Sequence, residues 1–177
     1  SWLFLTMLLA MASALLLGMG MPTLPAYLTI ILIMGPSLQQ FGLAVLTAHM
    51  FVFYYGVASS ITPPVAIAAY AAASISGSPP LKTAVMALRI GVVKFIIPFV
   101  FAYYPILLIV EESGAVFDVL GFTSIVSRLL LAIYLLSSAV SAFDMRQLPI
   151  WEIGLRIVLA GSVLHVEPTR HWPATFA

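Results

Sequence analysis

The sequence predicts an all-α integral membrane protein, built from a re-entrant helical hairpin and a discontinuous helix followed by additional transmembrane helices. Three observations carry that expectation. Of the 177 residues, 63% are hydrophobic and 7% are charged, against roughly 25% charged in ordinary soluble domains. No charged residue precedes Lys82, and a soluble domain could not cover itself with such a segment. Apolar runs recur along the chain, but Gly and Pro interrupt several of them short of the ~20 residues that a helical crossing requires.

Composition also excludes whole classes of function. A net charge of +1 is too small for a nucleic-acid partner, and the few basic residues serve better as markers of orientation in a bilayer. Cysteine is absent, which removes disulfide frameworks, thiol catalysis and cysteine-ligated metal. The opening SWLFLTMLLAMASALLLG has neither a starting methionine nor a basic leading region. It does not read as a signal peptide, and the chain is expected to be a fragment of a longer one.

The elements follow in order. Trp2 to Leu17 is apolar, then GMGMPTLP spans Gly18 to Pro25, and a second short arm, Ala26 to Met34, ends at Gly35 and Pro36. Two short arms meeting at a Gly/Pro tip predict a re-entrant hairpin over 1–36. Irregular backbone at membrane depth is tolerated only where protein or a water-lined cavity satisfies its polar groups, so the tip should face a site. Phe41 to Ile61 is long enough to span, and is interrupted at Thr62, Pro63 and Pro64 before a short arm, Val65 to Ile75. This predicts one broken helix over 41–77. Proline lacks the amide donor and clashes with the preceding turn, at a cost of ~3 kcal/mol in a helix interior.

After Gly77, Ser78, Pro79 and Pro80, an amphipathic stretch, Leu81 to Val92, carries Lys82 and Arg89, and Lys94 opens the apolar run Phe95 to Val110. Residues 79–110 thus read as an amphipathic segment and a span. Additional transmembrane helices are expected over 111–166: a span from Phe122 to Phe143, a turn at Asp144 to Gln147, and a short run, Ile150 to Leu164. The tail 167–177 lacks periodicity and is expected to be disordered. Lys82, Arg89 and Lys94 form the densest positive cluster, which places their loop in the cytoplasm and Glu111 and Glu112 on the opposite side. Arg128, inside its span, would snorkel to the outer interface, where Arg170 and His171 would also lie.

The break at Pro63 frees carbonyls of the preceding turn in a medium that offers them no partners. An alkali cation is one such partner. Ser59, Ser60 and Thr62 supply hydroxyl oxygens at that level, and the tip adds the carbonyls of Gly18, Gly20 and Met21. Transporters hold coupling cations with unwound carbonyls and aim half-helix N-termini at anionic groups. The competing interpretation is a proline kink satisfied by neighbouring helices and water, which would leave a structural membrane subunit with no site.

An intramembrane serine hydrolase would need His49 to reach Ser59 or Ser60. Helical periodicity puts His49 off the face of Ser60, and GVASS lacks the GxSxG turn that presents a nucleophile. His49 is expected to bond a neighbouring hydroxyl or backbone group instead. Glu111, Glu112, Asp118 and Asp144 read as solvated loop residues, with no paired-carboxylate site among them. Tyr103 and Tyr104 fit an interfacial belt, and Tyr54 and Tyr55 fit packing.

GMGMPTLPAYLTIIL and the run AHMFVFYYGVASSITPPVAIAAYAAASISGSPPLKTAVMALRIGVVKFIIPFVFAYYPILL resemble the large membrane subunit of tripartite ATP-independent periplasmic (TRAP) transporters. The closer likeness is to the fused small-plus-large subunit that works with TAXI-type binding proteins, and it covers roughly residues 1 to 110. The resemblance implies one C-terminal half of an inverted-repeat elevator transporter, a sodium-driven importer of organic anions in a bacterial inner membrane. Its partners would be a periplasmic substrate-binding protein and a small membrane subunit, fused upstream in the complete chain. Gly18 to Thr23 match the hairpin tip and Ser59 to Pro64 the helix break. On that basis Gly18, Gly20, Met21, Ser60, Thr62 and Pro63 are expected to hold sodium as coupling ion, with no other cofactor. Thr23, Pro64 and Val65 are expected to face a substrate carboxylate. The upstream repeat and the small-subunit helices have no counterpart in these residues, and the tail matches nothing in that family.

Overall fold

The structure, a computed structural model, describes residues 2–109 and 118–164. The expectations for Glu111, Glu112, Arg170, His171 and the tail lie outside the described residues. Eight α-helices account for most of the described chain: α1 Trp2–Gly18, α2 Thr23–Gln40, α3 Val45–Ser59, α4 Ile67–Ser76, α5 Pro80–Gly91, α6 Ile97–Tyr103, α7 Val119–Ser141 and α8 Ile150–Leu164. The sole extended pairing among the described residues is a two-residue antiparallel ladder, Phe143–Asp144 with Arg146–Gln147. The all-α expectation therefore holds. The chain divides into two compact units between Ala102 and Tyr103.

In the first unit α3 packs against both α1 and α2, which also pack on each other. Small residues permit this. Met7, Ala10, Ala14 and Gly18 form the buried stripe of α1 at helical spacing, and such stripes let backbones approach where lipid removes the hydrophobic drive between helices. Gly56 of α3 faces the Tyr27 backbone of α2, where a Cβ would sit in ordinary contact at 3.7 Å from the Tyr27 nitrogen. Phe51 and Tyr55 on α3 are fully buried. Their rings stack edge-on, and Phe51 meets Phe99 in the same geometry. Outward, Leu16 is 67% exposed and Leu32 78%, together with many other large apolar side chains. Exposure on this scale fits a lipid solvent and not water.

Several boundaries differ from the sequence expectation. α2 does not end at Gly35 and Pro36 but runs through them to Gln40, because a single missing amide removes one helical bond and neighbouring packing sustains the rest. α3 begins only at Val45, after a turn in which Gly42 adopts φ +100°. The run from Phe95 to Val110 is not one helix. Pro80–Tyr103 instead forms a nearly continuous 24-residue apolar helix, tightened into a 3-10 turn at Val92–Phe95. Pro98 has no amide to offer Lys94, which explains the tightening there. The helix stops at Tyr103, and Tyr104 is extended (φ −129°) before Pro105, as the residue preceding proline prefers.

In the second unit α7 and α8 form an antiparallel pair joined by the small ladder. α7 has 23 residues and the composition of a membrane span. Two acidic residues expected as loop solvation have structural work here. Asp118 caps α7 by accepting the Gly121 amide at 2.9 Å, satisfying one orphan donor of the first turn. Asp144 pairs with Arg156 of α8 at 2.8 Å and accepts the Tyr134 hydroxyl at 2.7 Å. Arg156 also donates to Ser138 Oγ at 2.6 Å, so a charge inside an apolar helix pair is matched on two sides.

Candidate functional site

The hairpin tip and the helix break, separated in sequence by α2 and α3, meet in space. α1 ends at Gly18, a turn carries the chain through Met19, Gly20 and Met21, and α2 starts at Thr23 after Pro22. Gly20 has φ +81°, a conformation that a side chain would make costly and glycine adopts freely. On the other side α3 ends at Ser59 and α4 begins at Ile67. Between them the chain turns twice, with a cis Pro63–Pro64 bond and Ala66 in the left-handed region at φ 34°.

Two close approaches join these segments. Ser59 Oγ lies 3.0 Å from the Gly18 carbonyl oxygen and 2.7 Å from that of Gly56, so its single proton is shared between the tip and its own helix. A Cβ on Gly18 would fall 2.6 Å from Ser59 Oγ, and one on Gly20 would fall 3.8 Å from a Val65 methyl. Glycine at position 18 is thus a condition of the contact, whereas the space beside Gly20 would admit a methyl. Met21 and Thr23 belong to the tip, and Ser60, Thr62, Pro63 and Pro64 to the break, through chain connectivity alone.

Much of the polar capacity of the break is already engaged. Ser60 Oγ donates to the Val57 carbonyl at 2.7 Å and Thr62 Oγ1 to that of Ala58 at 2.8 Å. The Ser60 carbonyl accepts the Ala68 amide, the Thr62 carbonyl the Ala66 amide, and the Gly18 carbonyl the Met21 amide at 3.4 Å. The Pro64 carbonyl accepts the Tyr70 hydroxyl. Each of these hydroxyls spends its proton inward, which leaves oxygen lone pairs as its remaining capacity. The Ser60, Thr62 and Pro64 carbonyls, each accepting one of these bonds, have a second lone pair, whereas the Gly18 carbonyl accepts both the Ser59 hydroxyl and the Met21 amide. Chemically this is an acceptor-rich junction suited to a hard cation, which takes oxygen ligands.

Ser59 was expected at the break as one hydroxyl among three, but not as the buried group that clasps the tip, and Tyr70 went unrecognised. Tyr70 gave a signal that could have been used, a phenol inside the alanine-rich α4 one turn beyond the break. His49 behaves as expected: its Nδ1 lies 2.7 Å from the Tyr27 hydroxyl, and the hydroxyls of Ser59 and Ser60 turn to backbone carbonyls. No group of three or more His, Cys, Asp or Glu that could hold a metal occurs among the described residues, so any ion here would rely on neutral oxygens.

The sequence matches the family described as "Tripartite ATP-independent periplasmic transporter, DctM component" over residues 1–113. That match covers both the tip and the break and well over half of the chain. No curated protein and no solved structure gives a significant match.

Proposed function

The chain belongs to the DctM-component family of tripartite ATP-independent periplasmic transporters, and from that premise we propose that it forms part of a sodium-coupled permease importing organic anions. The meeting of tip and break through Gly18 and Ser59 is the observation that carries this reading. In it, oxygens of Gly18, Gly20, Met21, Ser60, Thr62 and Pro63 hold sodium. The substrate carboxylate lies against Thr23, Pro64 and Val65, where α2 and α4 both begin. A helix start presents partial positive charge, and two starts at one junction favour an anion beside the cation. No Asp or Glu precedes Glu111, so this part of the chain brings no carboxylate to repel one.

The permease sits in a bacterial inner membrane as a multi-pass protein. It receives substrate from a periplasmic binding protein and works with a small membrane subunit. It is not an enzyme in this reading: a hydrolase would need an imidazole on Ser59 or Ser60, whereas His49 is bonded to Tyr27.

The deciding experiment measures uptake of a labelled carboxylate by the complete permease in proteoliposomes, with its binding protein, as sodium is varied. Thr62→Ala should raise the sodium concentration for half-maximal uptake by about tenfold, corresponding to roughly 1.4 kcal/mol for a lost ligand. An unchanged sodium dependence would defeat the ion site and leave the prolines as packing kinks.

A further inference from the structure

Lys94 lies inside a helix with the length and composition of a span. Pro80–Tyr103 is apolar and nearly continuous over 24 residues. Lys82 stands in its first turn, and Lys94 follows about 18 Å further along the axis. Tyr103 is the nearer end, so a lysine that snorkels by the shorter route would extend towards it. The Lys94 stem leans the other way, towards the helix N-terminus: its Cε lies 3.8 Å from the point where a Gly91 Cβ would be, and Ile61 Cδ1 lies 2.6 Å from that same point. Ile61 stands between Ser60 and Thr62 in the helix break, so the Lys94 stem is carried against the break.

The 3-10 turn holds it there. The Phe99 amide bonds to the Ile96 carbonyl, and the Phe95 carbonyl accepts the hydroxyl of Tyr55 on α3 at 2.6 Å. Tyr55 is fully buried, so the residue after Lys94 is pinned to the helix that ends at the break. Lys94 is itself partly buried, and among the described residues its ammonium meets no hydrogen-bond or ion-pair partner. No Asp or Glu occurs in residues 1–110. A cation at such a depth is costly and marks the path of a substrate or counter-ion.

We propose that the Lys94 ammonium is the counter-charge of the transported anion and pairs with its carboxylate at the helix break. This rests on the transport reading above and adds a specificity-determining side chain to it. Helix starts supply only partial charge, whereas an ammonium supplies a full one and a charge-assisted hydrogen bond. Sodium on the break oxygens and Lys94 beside Ile61 repel each other when no anion is present. A carboxylate between them replaces that repulsion with two attractions, which a low-dielectric surrounding screens little. An uncharged ligand of the same shape leaves the ammonium unmatched, so the site selects for charge.

The test uses the complete permease in detergent at saturating sodium, with acetate, succinate and citrate as probes and succinamide as the uncharged analogue of succinate. Binding is read from the rise in unfolding temperature with probe concentration, and radiolabelled sodium binding is measured separately without anion. At least one of the carboxylates should bind the parent, and succinamide should not. Lys94→Gln should weaken carboxylate binding by about 30-fold, yet bind sodium at least as tightly as the parent and unfold at no lower temperature without anion. Lys94→Arg should keep most of the carboxylate binding because it keeps the charge. Should Lys94→Gln not fold, Lys94→Met carries the same expectation, and failure of both to fold would assign Lys94 to structure and overturn the proposal. Equal carboxylate affinity in the parent and Lys94→Gln would remove Lys94 from the site and leave the transport reading standing. Failure of every carboxylate to bind the parent would defeat that reading and this proposal with it.

Discussion

Ser59, in the last turn of α3, places its hydroxyl 3.0 Å from the carbonyl oxygen of Gly18, 41 residues earlier at the end of α1. Both residues are buried, and the contact ties the hairpin tip to the helix break. Gly18→Ala would put a methyl at 2.6 Å from Ser59 Oγ and 3.0 Å from Ser59 Cβ. Overpacking of this kind costs about 1–3 kcal/mol. Thermal unfolding in detergent should show that loss for Gly18→Ala and a smaller one for Ser59→Ala. The double variant should be non-additive by at least ~0.5 kcal/mol, as expected for residues in direct contact. Strict additivity would mean that tip and break are not in contact.

At Gly20 the backbone, not the space, is limiting. Its φ of +81° costs an ordinary L-residue about 1–2 kcal/mol, and a β-branched side chain costs more. Gly20→Val in the complete permease should insert normally and lose uptake, whereas Gly20→Asn should retain part of it because asparagine tolerates the left-handed region. Normal uptake by the valine variant would remove the tip from the transport site.

The prolines at the break allow a test of architecture against ion binding. Pro63→Ala with Pro64→Ala restores two amide donors, so α3 and α4 can move towards a continuous helix. The variant should be at least as stable as the parent in thermal unfolding and inactive in sodium-driven uptake. A folding defect with unaltered sodium dependence would assign the prolines to packing.

Asp144 gives the protein an acid-sensitive clasp. The Tyr134 hydroxyl bond first, and then the Arg156 guanidinium, hold its carboxyl below the ordinary carboxylate range. A depressed folded-state pKa stabilises above the unfolded value of about 3.9, and that contribution is lost as pH falls through the lower folded value. Stability of the detergent-solubilised protein should therefore decline on the acid side below about pH 4. Asp144→Asn should be less stable at neutral pH and lack this component of the decline. An identical acid profile in parent and variant would show that the clasp is not what titrates.

Orientation is testable because the chain has no cysteine. Lys82→Cys should resist an impermeant thiol reagent in intact cells and react once the membrane is permeabilised, as the positive-inside tendency requires. Labelling from outside would invert the topology.

Much of this protein was determined by the sequence by itself. The absence of charge before Lys82 dictates a membrane solvent, and the Gly/Pro clusters at 18–25 and 62–64 dictate where helices cannot continue, since these are local properties of backbone sterics and transfer energy. Tertiary structure decided which interruptions matter. Pro36 is absorbed within α2, whereas Pro63 and Pro64 separate two helices, because neighbouring packing decides whether a lost amide bond is tolerated. It also decided that Gly18 meets Ser59, that Asp144 reaches back to Tyr134 and forward to Arg156, and that Tyr70 answers the carbonyl of Pro64. Such pairings depend on where helices return in space, and helical periodicity within one segment carries no information about that distance.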